Sequence, residues 1–161
     1  MMPELTLALP QVAFGCLLIG LVVQLAVIDS RHMILPNTLN AMLAASGLAQ
    51  AVVIGRPHVL DAVLGALLGA AVLGGFAALY RRVRGIDGLG RGDVKFAAAA
   101  GLWIGWQDVS LMLFVAAWSA LIFVAVQAAR TGEWHLTTRV PFGPFLAIGT
   151  VAAWLGAVVA A

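Results

Sequence analysis

Two aspartates stand where polar sequence meets long hydrophobic sequence. Asp29 lies within "LAVIDSRHMILPNTLN", directly after one apolar run, and Asp93 lies within "GLGRGDVKF", directly before another. An ionised carboxylate at membrane depth is costly, and an ionisable residue there is by default a candidate functional group. These two aspartates are therefore the side chains whose chemistry most needs an explanation.

Two facing carboxylates are suited to activating water for hydrolysis. Because like charges a few ångströms apart do not both ionise readily, such a pair shares one proton. One member then acts as a base on water while the other polarises a carbonyl group. Gly90 and Gly92 precede Asp93 in the sequence. We predict that these glycines leave room for an extended substrate backbone and allow unusual backbone dihedrals.

A purely structural interpretation of the same aspartates stays open at this point. Asp29 would be a helix cap paired with Arg31, and Asp93 would be an N-cap with Lys95 nearby. Both interpretations require these residues to lie at helix ends, so the hydrophobic pattern has to decide where the helices are.

The composition indicates a polytopic membrane protein with an all-α fold. Of the 161 residues, 63% are hydrophobic and 10% are charged, and the mean hydropathy is +1.04. A soluble domain of this size has no interior large enough for so much apolar surface. No basic face typical of nucleic-acid binding is visible, so membrane lipid is the expected surrounding partner. We treat residues 1–161 as one integral-membrane domain.

Six apolar runs predict about six transmembrane helices in one bundle. The sequence between residues 96 and 129 is too long for one ordinary crossing and is interrupted at "GLWIGWQDVS", so we divide it into a tight helical hairpin. The predicted spans are residues 7–28, 38–54, 60–80, 94–107, 109–129 and 141–160.

The basic residues orient this bundle. With six spans, eight basic residues fall on one side of the membrane and Arg56 falls on the other. The eight are Arg31, Arg81, Arg82, Arg84, Arg91, Lys95, Arg130 and Arg139. The richer side is predicted to be cytoplasmic, with both termini outside. Asp29 and Asp93 then lie at the cytoplasmic face, and their carboxylates can meet if the first and fourth helices pack together.

Several other site types are excluded by the sequence. Arg-Gly-Asp at 91–93 lies on the predicted cytoplasmic side, which argues against an adhesion signal. The glycine-rich stretch lacks the endings of a P-loop or a dinucleotide-binding turn. The three histidines have no ligand spacing, and the single Cys16 excludes an internal disulfide and a cysteine-based zinc cluster. We expect neither a metal nor a cofactor.

Three ordered stretches resemble the signature motifs of the type IV prepilin peptidase family, which are membrane aspartyl proteases of the GxGD type. These stretches are "IDSRHMILPNTLN", "GLGRGDVKFAAAAGLWIGW" and "RVPFGPFLAIG". The second is the most specific, because Gly90-x-Gly92-Asp93 is followed by Val-Lys, an alanine-rich turn and Gly-x-Trp-x-Gly-Trp. The resemblance covers essentially the whole chain.

The resemblance implies that Asp29 and Asp93 are the catalytic pair. It implies removal of a short basic leader from type IV prepilins or pseudopilins, without a cofactor, at the cytoplasmic face of the bacterial inner membrane. We expect the remaining motif residues to shape the site or meet the substrate, with the two prolines of the last motif breaking or bending the final helix, although that motif's role is equally open to a merely structural explanation. These residues are Gly90, Gly92, Lys95, Pro36, Asn37, Pro141, Phe142, Gly143 and Pro144.

The sequence also departs from the bifunctional members of that family. Those members carry an additional N-terminal region that methylates the new N-terminus, often with paired cysteines that bind zinc. This sequence begins at the first catalytic helix and has only Cys16, so it resembles a peptidase-only member or an isolated catalytic half. The sequence leaves the oligomeric state undefined, and it leaves open which pilin or pseudopilin is cut.

Two other functions compete with a peptidase. The first is a small proton- or ion-coupled transporter that uses the same aspartates as relay groups. Against it, both acids lie near one face, and no acidic residue lies near the middle of another span. The second is a non-catalytic assembly subunit of a secretion machine. One experiment distinguishes a peptidase from both alternatives: only a peptidase should cleave a prepilin-like peptide and lose that activity in Asp93→Asn.

Overall fold

The computed structural model describes residues 3–131 and 140–159, and all regular structure in these ranges is helical. The predicted all-α fold is therefore confirmed. Four helices are long and apolar enough to cross a membrane, and a fifth apolar helix is shorter. The helices are α1 (Pro3–His32), α2 (Asn37–Ile54), α3 (Val59–Arg84), α4 (Arg91–Thr131) and α5 (Gly143–Val159).

Helix α4 consists of two arms that meet at Gly105. This glycine has φ 73° and ψ 170°, a combination that is essentially restricted to glycine, because a side chain would clash with the backbone. Gly105 lies within the interruption "GLWIGWQDVS" predicted from sequence, two residues before the predicted end of the fourth span at residue 107. We refer to residues 91–104 as the first arm and residues 106–131 as the second arm.

Contacts with α5 show that the second arm runs back toward the end of the bundle where α5 begins. A Cβ on Gly156, late in α5, would lie 4.0 Å from Leu111 near the start of the second arm. The ring centroid of Phe145, early in α5, lies 5.6 Å from that of Phe123. The two arms therefore form the helical hairpin that the long apolar stretch predicted.

Glycines allow α3 and the first arm of α4 to approach closely. A Cβ on Gly65 would overlap the carbonyl oxygen of Gly101, and a Cβ on Gly69 would lie 2.6 Å from the carbonyl oxygen of Ala97. Close backbone approach through small residues is typical of membrane helix pairs. These glycines thus serve bundle packing.

The backbones of α1 and α4 stay apart, but the two helices meet through side chains, since the rings of Phe14 and Trp103 pack edge to face with centroids 6.2 Å apart. Within the described ranges no Cα of α1 comes within 8 Å of a Cα of α4, because α2 and α5 contact both. On the α5 side, a Cβ on Gly15 would lie 2.5 Å from the ring of Trp154. On the α2 side, a Cβ on Gly47 would lie 2.6 Å from the ring of Trp103. The aspartate-bearing helices are thus held in place by their shared neighbours.

The two prolines of the last motif neither break nor bend α5, which corrects the sequence expectation. The helix begins at Gly143, so Pro141 precedes it and Pro144 lies in its first turn. The first turn of a helix tolerates proline because its backbone N–H groups have no intrahelical acceptor. The prolines therefore define where α5 starts.

The outer surface of the bundle is apolar, as expected for a protein surrounded by lipid. Leu67 is 61% exposed, Phe114 is 61% exposed and Val52 is 66% exposed. Soluble monomers rarely expose apolar patches on this scale. Together with the four apolar helices, this surface identifies a multi-pass membrane protein.

Candidate active site

Asp29 lies at the C-terminal end of its own helix but at the N-terminal end of another. It is in the last turn of α1, where the helix dipole disfavours a negative charge. Its Oδ2 accepts a 2.8 Å hydrogen bond from the backbone N–H of Gly143, the first residue of α5. Helix N-termini favour anions, so α5 supplies the stabilisation that α1 lacks. The side chain is buried, with 5% of the residue exposed.

The absence of a side chain at Gly143 is necessary for this contact. A Cβ built there would lie 2.7 Å from Oδ2 of Asp29 and 3.0 Å from its Cγ. Separations this short force a displacement of the Asp29 carboxyl group or of the start of α5. Any other residue at position 143 would therefore move Asp29 away from the start of α5.

Asp93 caps its own helix from the third position of α4. Its Oδ2 accepts a 3.2 Å hydrogen bond from the backbone N–H of Gly90, and its own N–H donates to the Gly90 carbonyl at 3.1 Å. A carboxylate that reaches back in this way is half of a capping box. The structural interpretation was therefore right that Asp93 caps the helix, although it is not the N-cap residue. Its Oδ1 is buried and has no hydrogen-bond partner.

The two carboxyl groups lie at the same end of the bundle, because Leu35, in the loop after α1, packs beside Gly92, the residue before Asp93. Each has one oxygen held by a backbone N–H near a helix N-terminus, Asp29 at α5 and Asp93 at α4. The pair predicted from sequence is thus brought together at one end of the bundle. Within residues 9–130 and 140–159 the ion pair found is Arg81–Asp87, at 3.8 Å on the surface, so Asp29 is not paired with Arg31.

The glycines before Asp93 do not adopt the unusual dihedrals that we predicted. Among the glycines in residues 3–131 and 140–159, those with positive φ are Gly55, Gly85 and Gly105. A Cβ on Gly92 would lie 2.9 Å from Cβ of Leu35, and a Cβ on Gly90 would lie 3.0 Å from Oδ2 of Asp93. Gly92 therefore lets the loop between α1 and α2 pack against the start of α4, and Gly90 leaves room for the Asp93 carboxylate.

Lys95 contacts α2 and not the carboxylates. Its Nζ donates a 2.7 Å hydrogen bond to Oδ1 of Asn37, the first residue of α2. Pro36 is the N-cap of α2, in extended conformation, and its side chain makes no capping hydrogen bond. The predicted residues Pro36, Asn37 and Lys95 thus form one connection between the starts of α2 and α4, beside the aspartates.

The remaining motif residues organise the start of α5. The Phe142 carbonyl accepts hydrogen bonds of 3.1 Å from the N–H groups of Phe145 and Leu146. Phe142 also packs against Phe145, with ring centroids 6.4 Å apart. This local structure fixes the Gly143 N–H that binds Asp29.

A cavity of roughly 630 Å³ lies beside Gly90, between the end of α3 and the start of α4. Its apolar lining comes mostly from small residues, including Gly74, Ala77 and Ala78. Its charged lining residues are Arg81, Asp87, Arg91 and Lys95. No group of three or more His, Cys, Asp or Glu residues suited to a metal ion occurs in the part of the chain described.

Asn40 is a buried polar residue near this end of the bundle that sequence reasoning missed. It is 5% exposed, and neither its Nδ2 nor its Oδ1 has a hydrogen-bond partner. Its position in the sequence could have indicated that it is buried. Asn40, Leu43, Gly47 and Gln50 are three or four residues apart, so they lie on one face of α2, and that face is buried.

Curated relatives of this chain are leader peptidases. It is 39% identical over 130 residues to Leader peptidase HopD of Escherichia coli, covering 78% of this chain and 82% of that protein. It is 35% identical over 134 residues to Leader peptidase HopD of Salmonella typhimurium, covering 81% and 84%. It is 35% identical over 141 residues to the Prepilin leader peptidase/N-methyltransferase of Aeromonas hydrophila, covering 86% of this chain but 47% of that protein.

The chain thus spans most of the HopD proteins and about half the length of the bifunctional relatives it matches. No solved structure matches it. The family model that matches residues 16–125 is that of the type IV leader peptidase family. This match spans more than half of the chain and includes both buried aspartates, so the protein belongs to the type IV leader peptidase family.

Proposed function

We propose that this chain is an aspartyl endopeptidase that removes a short basic leader from type IV prepilins or pseudopilins at the cytoplasmic face of the bacterial inner membrane. The observation that carries the proposal is the pair of buried carboxyl groups, Asp29 and Asp93, each bound to a backbone N–H at a helix N-terminus. Membership of a leader peptidase family supports it. The basic residues at the aspartate end support the proposed orientation.

The proposed reaction is hydrolysis of one peptide bond by water. The ionised aspartate takes a proton from water while the water oxygen bonds to the scissile carbonyl carbon. The protonated aspartate gives its proton to the carbonyl oxygen, which forms a neutral tetrahedral diol. Collapse of the diol breaks the C–N bond: the leaving amine takes a proton from the acid formed in the first step, and one diol hydroxyl returns a proton to the other aspartate as the new carboxyl group forms. One water is consumed, and the pair again shares one proton at the end.

Hydrogen bonding assigns the two starting roles. Asp29 accepts the shorter bond, 2.8 Å from Gly143, at the N-terminus of a separate helix, which favours its ionised form. Asp93 has a 3.2 Å bond and a buried Oδ1 without a partner, and a charge on that oxygen would be costly. We therefore assign the shared proton to Oδ1 of Asp93 and the role of base to Asp29.

A transporter is less well supported than a peptidase. In the part of the chain whose side chains are described, the buried acidic residues are Asp29 and Asp93, both at one end of the bundle. The other buried polar side chains are Asn40, Gln50 and Thr150, none of which carries a charge. A proton relay across the bilayer would need ionisable groups at several depths.

The decisive test is cleavage by the purified full chain in detergent or liposomes. The substrate is a peptide with a short basic leader followed by an apolar helix-forming segment, and mass spectrometry locates the cut. We expect cleavage at the end of the leader, abolished in Asp93→Asn. A protein that is folded and leaves this peptide intact would overturn the proposal.

A further inference from the structure

Asn40 occupies a buried position on α2 that faces the interior of the bundle. Its neighbours on the same stripe are Leu43, Gly47 and Gln50. The Leu43 carbonyl accepts a hydrogen bond from Nε1 of Trp103, and Gln50 donates to the Trp103 carbonyl. The stripe therefore faces the first arm of α4, and Asn40 lies on it near the end that carries the aspartates.

The depth of Asn40 follows from helix register. Helix α2 and the first arm run in the same direction, since Asn37 bonds to Lys95 near their starts and Gln50 bonds to Trp103 near their ends. A Cβ on Gly47 would lie 3.1 Å from Cβ of Leu102. Counting back one residue at a time places Asn40 level with residue 95, which is about 3 Å along the axis from Asp93.

The buried amides of α2 differ in how they are satisfied. Gln50 donates to the carbonyls of Arg56 and Trp103 and accepts from Nε1 of Trp154. Asn40 makes no side-chain hydrogen bond. In the described ranges, three buried side-chain nitrogen or oxygen atoms have no hydrogen-bond partner: Nδ2 and Oδ1 of Asn40, and Oδ1 of Asp93. All three unpartnered atoms therefore belong to the aspartate end.

An unpartnered amide is a poor choice for stability at this position. A buried donor or acceptor without a partner costs free energy, whereas leucine has nearly the same shape and no polar atom. Such a group in a native protein calls for an explanation, and a catalytic or binding role that trades stability for activity is one. The unsatisfied state of Asn40 therefore points to a ligand.

We infer that Asn40 is a substrate-binding residue whose amide pairs with the backbone of one substrate residue beside the scissile bond. Its Nδ2 donates to the carbonyl of that residue, and its Oδ1 accepts from the N–H of the same residue. In an extended chain the N–H and C=O of one residue point to the same side, which matches the two unpartnered atoms of Asn40. This inference rests on the proposed endopeptidase function, because the backbone that Asn40 binds is that of the peptide substrate.

The test compares Asn40→Leu with Gln50→Met, its matched control on the same stripe. For each purified full chain we would measure the melting temperature and kcat/KM on the leader peptide. Peptide affinity is measured in the Asp29→Asn background, where the peptide is not cut. Asn40→Ser, which keeps one donor and one acceptor on a smaller side chain, is a second variant that separates loss of the polar groups from loss of side-chain volume.

We expect Asn40→Leu to raise the melting temperature by about 2 °C or more, because it removes the unpartnered atoms. Its kcat/KM should fall about ten- to hundredfold and its peptide Kd rise in parallel, since the N–H and C=O of the substrate residue are left unpaired. Asn40→Ser should keep more kcat/KM and peptide affinity than Asn40→Leu, because its hydroxyl still offers one donor and one acceptor, and it should melt lower than the parent because it leaves a cavity. Gln50→Met should melt lower, with kcat/KM per folded molecule within about threefold of the parent.

An Asn40→Leu protein that is more stable and keeps both kcat/KM and peptide affinity would overturn the inference. So would one that loses stability as Gln50→Met does, because that result assigns Asn40 a structural role. If the parent binds the peptide without cutting it, the proposed function fails and the affinity comparison alone decides Asn40. If the parent does not bind the peptide, both proposals fail.

Discussion

The backbone N–H of Gly143 donates a 2.8 Å hydrogen bond to Oδ2 of Asp29, which lies 114 residues earlier in the chain. This bond places a carboxylate from the end of α1 at the start of α5. It provides an anion-stabilising helix terminus to a residue whose own helix ends unfavourably for a negative charge. The third sequence motif is thereby connected physically to the first.

Substitution of Gly143 by alanine is expected to displace Asp29, because the new Cβ would lie 2.7 Å from Oδ2. A displacement of about 1 Å in a catalytic group costs on the order of a hundredfold in rate. We expect kcat on the leader peptide to fall by that order while the helical circular dichroism is retained. Gly20→Ala is the control, because nothing lies within 4 Å of a Cβ there. Equal activities of the two variants would argue against a role for the Gly143–Asp29 contact.

The two aspartates are expected to act as one unit. Asp29→Asn and Asp93→Asn keep the size of each side chain, and the amide oxygen can still accept from Gly143 or Gly90. Each single variant should lose turnover on the order of a thousandfold, and the double variant should be no worse, because residues that work together are grossly non-additive. Turnover is measured per folded molecule. Activity of Asp29→Asn within about tenfold of the parent would remove Asp29 from the proposed pair.

The chain reversal at Gly105 is expected to depend on glycine. An alanine there must adopt φ 73° and ψ 170°, and its Cβ would lie 2.9 Å from Oε1 of Gln107. We expect Gly105→Ala to cost about 1–3 kcal/mol in the free energy of unfolding. Gly55→Asn is the comparison, because Gly55 has φ 73° and ψ 12°, a left-handed conformation that asparagine tolerates, with open space around it. Similar melting temperatures for the two variants would contradict the assigned backbone role.

Membrane orientation is testable with single cysteines, because Arg84 and His58 are exposed at opposite ends of α3. Cys16 is first replaced by serine, and cysteine is then placed at either position. An impermeant thiol reagent applied outside intact cells should label position 58 and leave position 84 unlabelled until the membrane is opened. Labelling of position 84 from outside would put the aspartates on the other face and would contradict the positive-inside assignment.

Much of the fold followed from the sequence because apolar length and charge placement act locally. A helix in lipid must satisfy its backbone internally, so each apolar run of membrane length becomes a helix. The predicted span at 38–54 compares with α2 at Asn37–Ile54, and that at 60–80 compares with α3 at Val59–Arg84. The direction of each helix then placed Asp29 and Asp93 at the same end before any contact was known.

The errors concern contacts between segments that are distant in the chain. The sequence left open whether α1 and α4 pack together; in the structure α2 and α5 lie against both, and α1 meets α4 through the rings of Phe14 and Trp103. The sequence suggested that Gly92 leaves space for substrate, but Leu35 occupies that space. It also suggested a broken or bent helix at Pro141, but Pro141 precedes the first residue of α5. The small size of glycine and the fixed φ of proline are local properties. Which side chains from distant segments pack beside these residues is not a local property.

By itself the sequence determined a helical membrane bundle, its chain reversal within 96–129, and two carboxylates delivered to one face. These properties depend on hydrophobic length, helix direction and charge, which the order of residues contains. Only the tertiary structure decided that Gly143 binds Asp29, that Asp93 caps its own helix, and that Asn40 is buried without a partner. Those facts depend on which donors and acceptors meet after packing. A hydrogen bond tolerates only a few tenths of an ångström of variation in the donor–acceptor distance, and no local sequence pattern encodes positions that accurately.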